Sequence, residues 1–176
     1  MQPLTDTAIR RSMVNCSRSE AASMTMPEGL PSLDWEARDF LGWRDPRAPQ
    51  RAYLVQWRDG EPLGLMLRAP GSRMSRGRAA MCALCHHGQS ADNVALFTAR
   101  RAGQRGRDGN TVGTYICADL ACPVNVRSGG APSAFTAPSG QPRPVEPGPE
   151  AEEAVRRRVA ELGERLAAFT DSVLRG

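Results

Sequence analysis

Two stretches, Met81-Cys-Ala-Leu-Cys-His-His-Gly88 and Thr114-Tyr-Ile-Cys-Ala-Asp-Leu-Ala-Cys-Pro123, carry four of the five cysteines of this 176-residue chain. The first stretch has CxxC spacing, the second has four residues between its cysteines, and 31 residues separate the two pairs. A CxxC turn aims two sulfur atoms at one point, and zinc binds four thiolates in a tetrahedron. The sequence therefore predicts one structural Zn²⁺ ion. The predicted ligands are Cys82, Cys85, Cys117 and Cys122.

Three other interpretations of these cysteines remain open. A CxxC can be a redox dithiol, although the sequence around Cys82 lacks the following helix and βαβ setting of a thioredoxin-like motif. The cysteines can also be unrelated buried residues. Imidazole binds zinc as well, so Cys82 and His86 could form the first ligand pair, with Cys85 or His87 beside the ion. Cys16 lies far from both pairs and is predicted to be a core residue.

The residues around the cysteines predict a small antiparallel sheet. The predicted strands cover residues 51–57, 63–67, 92–98 and 114–117. Asp59-Gly60 is a hairpin turn signal between the first two strands, and the Arg- and Gly-rich residues 99–113 are predicted to form a long mobile turn. The first cysteine pair lies in a tight turn, and the second lies where a strand ends and a helix begins. This order of elements is the treble-clef arrangement.

The fold class predicted from these features is α+β, with a small antiparallel sheet, a treble-clef zinc finger, a flexible linker and a C-terminal amphipathic helix. Residues 1–128 are predicted to form the zinc-finger domain, which begins with short helices. Residues 129–149 are rich in Pro, Gly, Ser and Ala, a composition typical of linkers. Residues 150–176 are predicted to form the helix, because apolar residues recur at spacings of four and three from Val155 to Val173. We expect this helix to pack on the domain; a coiled-coil dimer is the alternative.

Charge and hydrophobicity bear on the partner and the compartment. All 23 basic residues are Arg, the net charge is +4, and residues 68–128 hold nine Arg against three Asp, a local net charge of +6. Such an excess suits an acidic partner surface. The chain has no apolar run of 18 residues, and its first residues lack the pattern of a secretory signal. We therefore expect a cytoplasmic protein that does not contact a membrane.

Known signatures of catalysis are missing from the sequence. The HExxH, GxSxG, P-loop, GxGxxG and zinc-deaminase patterns do not occur. Four thiolates also close the coordination shell of a zinc ion, whereas a catalytic zinc site keeps one position open. We therefore expect a binding protein that is not an enzyme and has no small-molecule substrate.

Residues 81–88, 94–98 and 114–125 together resemble the zinc-finger domain of the elongation factor G-binding proteins of the FusB/FusC type. The segments Met13-Val-Asn-Cys-Ser17 and Asp39-Phe-Leu-Gly-Trp-Arg-Asp-Pro46 look like those of short actinobacterial members. The resemblance implies a treble-clef zinc finger that binds elongation factor G and helps to release it from the ribosome when fusidic acid traps it there. Proteins of the FusB type also carry a large N-terminal helical bundle, whereas residues 1–80 of this sequence are expected to form only short helices and a hairpin.

The residues expected to contact this partner lie between the two cysteine pairs. They are Arg100, Arg101, Arg105 and Arg107, with Phe97 and Tyr115 as exposed apolar side chains. The alternatives are a solvated turn for the arginines and strand core for the two aromatic residues. The alternative function is a ribosome- or rRNA-associated zinc-finger module without elongation factor G activity, in which the same basic region neutralises phosphates.

Overall fold

A five-stranded antiparallel sheet lies at the centre of the computed structural model, which describes residues 1–72, 74–75, 77–128 and 148–175. The strands are β1 (Leu41–Asp45), β2 (Ala48–Arg58), β3 (Glu61–Arg68), β4 (Ala79–Met81), β5 (Gly88–Ser90), β6 (Val94–Arg100) and β7 (Thr111–Cys117). The helices are α1 (Asp6–Arg11), α2 (Arg18–Ala22), α3 (Gly103–Arg107), α4 (Cys122–Asn125) and α5 (Pro149–Leu174). The central sheet has the order β1-β2-β3-β6-β7, and β4 pairs with β5 in a separate ribbon. The predicted α+β class with a small antiparallel sheet is confirmed.

The hairpin of β2 and β3 forms where the sequence predicts it. Arg58 pairs with Glu61, and Asp59 and Gly60 make the two-residue turn with φ angles of 51° and 81°. Positive φ at both central positions matches the twist of the flanking strands, and glycine adopts it without a steric cost. The strand β1 extends the sheet beyond the predicted strands, because it pairs with the other edge of β2.

The connection between β6 and β7 is not the mobile turn predicted for residues 99–113. Both strands extend into this segment, and α3 joins them. Main-chain hydrogen bonds of 2.9 Å run from Asn110 N to the Arg105 carbonyl and from Arg101 N to the Asn110 carbonyl. Gly106 approaches Arg101 so closely that a Cβ atom would lie 1.8 Å from its carbonyl oxygen. The glycines of this segment therefore permit a closed, hydrogen-bonded turn, which is why the prediction was wrong.

The N-terminal residues cover one face of the sheet. Ser17 and Glu20 form a capping box at the start of α2. The buried core between this layer and the sheet consists of Leu4, Ile9, Ala21, Met24, Leu30, Trp35, Leu41, Trp43, Tyr53, Val55 and Met66. The Asn15 side chain donates to the carbonyls of Met66 and Arg100 and accepts from Met66 N, so it ties the layer to β3 and β6.

Helix α5 covers the opposite face of the sheet. Its apolar stripe lies in a second core that also contains the four predicted cysteine ligands. A buried hydrogen bond of 2.6 Å joins Gln56 Nε2 on β2 to Thr170 Oγ1 on α5. Burying a large apolar side chain contributes about 1.5–3 kcal/mol. The helix is therefore an integral layer of the fold, packed on the sheet as expected.

Two sequence features fall on residues outside the described part of the chain. The predicted linker at 129–149 lies there except for its last two residues, where α5 begins. Arg73 and Arg76, which contribute to the local positive charge, lie there as well. Among the described residues, no helix combines the length and the apolar character needed to cross a bilayer.

Candidate metal centre

The first cysteine pair lies in the turn between β4 and β5. Within this turn, His86 N donates to the Cys82 carbonyl at 2.9 Å, and Cys82 N donates to the His87 carbonyl at 3.2 Å. His86 has a φ of 53°, in the left-handed region, which folds the chain back towards β5. These contacts place the sulfur atoms of Cys82 and Cys85 on the same side of the turn.

The second pair lies at the junction of β7 and α4. Cys117 is the last residue of β7, and Cys122 is the first residue of α4. Between them, Asp119 Oδ1 accepts a hydrogen bond of 3.0 Å from Ala121 N, and Leu120 has a φ of 61°. This tight turn reverses the chain, so that both thiols face the first pair.

The four sulfur atoms lie within 4.8 Å of one another and form one buried cluster. The Sγ atoms of Cys82 and Cys122 are 3.6 Å apart, and those of Cys85 and Cys117 are 3.5 Å apart. A tetrahedron with zinc–sulfur bonds of about 2.3 Å has edges of about 3.8 Å, whereas a disulfide bond measures about 2.05 Å. All four cysteines are free thiols. The cluster therefore has the size and the donor set for one tetrahedral metal ion.

Hydrogen bonds within the cluster shift the thiol pKa values in opposite directions. Hydrogen bonding with the Cys117 thiol lowers the pKa of Cys82 and of Cys85. The pKa of Cys122 is raised, first because of its hydrogen bond with Cys117. A divalent cation binds the thiolate form of cysteine, so metal binding at this cluster would release the thiol protons.

The alternative ligand His86 lies outside this cluster. Its side chain is exposed, whereas the four cysteines are buried. Among the described residues, the potential metal-binding atoms that lie together in one group are the sulfur atoms of the four cysteines. Cys16 packs against the N-terminal core far from this group, and burial raises the pKa of its thiol.

Two amide side chains that no motif indicated also contact the cluster. Gln89 Nε2 and Asn125 Nδ2 each lie 3.3 Å from Cys117 Sγ. Gln89 follows Cys85 by four residues, and Asn125 follows Cys122 by three. A polar amide at this short distance after each cysteine pair is the sequence signal that could have found them.

Arginine side chains on helix α5 and strand β1 donate hydrogen bonds to the main chain around the metal centre. Arg165 Nε on α5 donates to the Leu84 carbonyl inside the CxxC turn at 2.6 Å. Arg158 Nε on the same helix donates to the carbonyl of Val126, which directly follows α4, at 2.9 Å. On the β1 side, Arg44 Nε donates to the Ala118 carbonyl at 2.6 Å. Both cysteine-bearing turns are thus anchored to other elements of the fold.

The two predicted aromatic contact residues lie on opposite faces of the β6–β7 hairpin. Tyr115 is 49% exposed and pairs across the strands with Leu96, which is 39% exposed. Phe97 is fully buried, with the Arg44 guanidinium 5.0 Å above its ring. The expectation that Phe97 is exposed was wrong, because side chains alternate along a strand and Leu96 takes the outward position.

The four predicted contact arginines also divide into two groups. Arg100 forms an ion pair with Glu20, and Arg101 donates to the main-chain carbonyls of Ser172 and Arg175. Arg105 and Arg107 are exposed on α3. The first two arginines therefore join elements of the fold, and the last two point to solvent.

A β-ribbon turn with two cysteines, a β-hairpin and a short helix that carries the last cysteine define a treble-clef zinc-finger protein. The family described as FBP C-terminal treble-clef zinc-finger matches residues 8–173, which is most of the chain. The chain therefore belongs to this family. The matched residues include almost all of α5, so the helix belongs to the region that is shared with the family.

Solved structures give a second comparison. The structure of the fusidic acid resistance protein FusC superimposes with a TM-score of 0.51 and 16% sequence identity. The alignment covers 71% of this chain and 52% of that chain, so this chain corresponds to about half of FusC. At this identity the likeness concerns the fold. No curated protein sequence matches the chain.

Proposed function

We propose that this chain is a zinc-binding protein that binds translation elongation factor G and promotes its release from the ribosome. The observation that carries the proposal is the buried four-sulfur cluster within a chain of the FBP C-terminal zinc-finger family. The link to this factor rests on the resemblance to the elongation factor G-binding proteins of the FusB/FusC type, and the structural neighbour is named as a fusidic acid resistance protein.

Zinc is the ion proposed for the cluster. Four thiolates at tetrahedral spacing favour zinc over harder cations such as magnesium and calcium, which prefer oxygen ligands. A shell of four protein ligands leaves no position for a reacting water, so the ion has a structural role. In this proposal the cluster holds the β6–β7 hairpin and α4 in the shape that the partner recognises.

The proposed contact surface is the outer face of the β6–β7 hairpin with α3. Tyr115 and its cross-strand neighbour Leu96 offer exposed apolar area at one end. Arg105 and Arg107 offer positive charge at the other end. Apolar contacts give affinity, and charges at the rim of an interface mainly accelerate association with an acidic partner.

An rRNA surface has weaker support. Arg100, Arg101 and Arg127 form part of the local positive charge, yet they bind Glu20, carbonyls of the α5 region and Asp39. Ion pairing neutralises Arg100 and Arg127, and main-chain carbonyls hold Arg101 in place, so these three side chains are less available to phosphates. The two functions separate by salt, because RNA binding falls steeply as salt rises.

Calorimetric titration of purified elongation factor G into the zinc-loaded chain tests the proposal. We expect binding at micromolar concentrations and a clear loss of affinity for Tyr115→Ala. Leu33→Ala is the control, because Leu33 is a partly exposed apolar residue that packs on the N-terminal core, whose members lie outside the β6–β7 hairpin and α3. If the wild-type chain produces no binding heat at micromolar concentrations, the proposed partner is wrong.

This chain corresponds to about half of FusC, so binding and release of the factor need separate tests. The second test measures factor release on ribosomes. Elongation factor G is trapped on ribosomes with fusidic acid, and the fraction released is measured after the chain is added. We expect release to increase with the concentration of the chain and to be lost after zinc removal. Binding without release would restrict the proposal to factor binding.

A further inference from the structure

We infer that Gln89 and Asn125 are positioning residues of the metal centre, whose side-chain amides hold the Cys117 thiolate and slow the loss of the ion. This inference rests on the zinc binding proposed above and is independent of the partner. It adds two residues to a site that sequence motifs define by its sulfur atoms alone.

The geometry of the two amides differs from that of a chance surface contact. Gln89 belongs to β5 and Asn125 is the last residue of α4, so they reach the same sulfur atom from separate elements. Both nitrogen-to-sulfur distances are 3.3 Å, and Gln89 is only 8% exposed. Cys82 Sγ, by comparison, accepts the main-chain N–H of Cys85 at 3.4 Å. Cys117 is the sulfur at which two side-chain donors meet.

Such donors matter because a metal-bound thiolate still carries negative charge. An N–H group that points at the sulfur stabilises this charge and fixes the direction of the ligand atom. A neutral amide does so without adding a charge that would compete with the cation. Partners that hydrogen-bond to metal ligands typically change metal affinity about 10–100-fold when they are removed.

The position of the amides also affects access to the ion. Gln89 and Asn125 line a surface groove of about 760 Å³ that also includes Asn93 and Asp119. A groove of this size has room for a small chelator, since ligand pockets typically measure about 300–1,000 Å³. The two amides lie between this groove and Cys117. A chelator that enters the groove meets them first, so they determine how easily the bond to Cys117 is displaced.

Metal-transfer kinetics with the full-length, zinc-loaded chain test the inference. Zinc transfer to the coloured chelator 4-(2-pyridylazo)resorcinol is followed for the wild type, Gln89→Met and Asn125→Leu. We expect each substitution to accelerate transfer and the double variant to be the fastest, alongside a loss of zinc affinity of about 10–100-fold, as for other residues that support metal ligands. Gln50→Met is the matched control, because Gln50 lines the same groove and is exposed. Its rate should equal that of the wild type.

A spectroscopic measurement separates positioning from a general loss of structure. With Co²⁺ in place of Zn²⁺, loss of an N–H donor to sulfur should move the sulfur-to-cobalt charge-transfer band to lower energy. Gln50→Met should leave the band unchanged. If Asn125→Leu fails to fold, Gln89→Glu replaces it, and the carboxylate beside the thiolate should accelerate transfer more than Gln89→Met does.

The outcomes distinguish this inference from the proposed zinc binding. A wild-type chain that contains one zinc ion, together with folded variants that release it at the wild-type rate and show an unshifted cobalt band, would overturn the inference alone. A wild-type chain that takes up no zinc would overturn the proposed zinc binding, and the inference with it.

Discussion

At the level of single residues, burial separates the four clustered cysteines from His86. Cys85 is 5% exposed and lies in the sulfur cluster, whereas the next residue, His86, is exposed. We expect Cys85→Ser to lower the bound zinc substantially, because a neutral hydroxyl replaces one thiolate. His86→Ala should keep one zinc ion per chain. Metal content by mass spectrometry measures both, and zinc loss in His86→Ala with retention in Cys85→Ser would reverse the assignment.

Phe97 and Tyr115 provide a comparison of the two faces of one hairpin. Phe97 is fully buried and Tyr115 is 49% exposed. Truncating a buried Phe to Ala typically costs about 3–5 kcal/mol, so Phe97→Ala should strongly lower the free energy of unfolding in urea. Tyr115→Ala should change it by no more than about 0.5 kcal/mol, as surface substitutions usually do. Equal destabilisation by both would contradict the assigned faces.

Tyr53 makes stability sensitive to alkaline pH. Its hydroxyl donates to Asp45 Oδ2 at 3.1 Å in the N-terminal core, and burial, followed by this hydrogen bond, raises the pKa of Tyr53 to about 12. The pKa of an unfolded tyrosine is about 10, so between pH 10 and 12 the unfolded chain releases a proton that the folded chain retains. Stability should therefore be intact below pH 10 and fall as the pH rises to 12. Tyr53→Phe should flatten this part of the pH profile; a parallel profile would exclude Tyr53 as the cause.

At the level of elements, α5 acts as a brace for the CxxC turn. Arg165 connects the helix to the Leu84 carbonyl, and hydrogen bonds to charged groups contribute about 1.5–3 kcal/mol when buried. Arg165 is partly exposed, and solvent weakens its hydrogen bond. We therefore expect Arg165→Met to lower the free energy of unfolding by about 1–2 kcal/mol. Arg156→Met is the control, because Arg156 lies on the exposed face and pairs with Glu153. Urea unfolding of zinc-loaded protein measures both, and an equal, small effect of the two would show that Arg165 does not brace the turn.

At the level of the whole molecule, the metal cluster and α5 share one hydrophobic core. The four cysteines, Leu162 and Leu166 belong to the same set of buried side chains. Loss of the proposed ion is expected to free both cysteine-bearing turns and thereby to loosen the contacts of α5 with them. We expect chelation to lower the Tm and to increase proteolysis within α5, with both effects reversed by zinc. An unchanged Tm in protein shown to be free of metal would mean that packing alone maintains the fold.

Much of the fold was accessible from local sequence patterns. The cysteine spacing, the Asp59-Gly60 turn and the capping box of Ser17 and Glu20 each involve residues close together in sequence, and the structure contains all three arrangements. The apolar face of α5 could be predicted from the sequence, because an amphipathic helix repeats its apolar spacing over many residues. Strands β4 and β5 have only three residues each, too few for a periodic signal.

The sequence by itself determined that each cysteine pair presents its sulfur atoms at one turn, because CxxC spacing and a strand-to-helix junction are local features. That the two pairs meet, and that His86 lies outside the group, was decided by the tertiary structure. Only the tertiary structure decided what surrounds them. Gln89 reaches Cys117 across 28 residues, and Arg165 reaches Leu84 across 81. Contacts over such distances depend on how the layers pack, and the same packing binds Arg100 to Glu20 and leaves Tyr115 exposed.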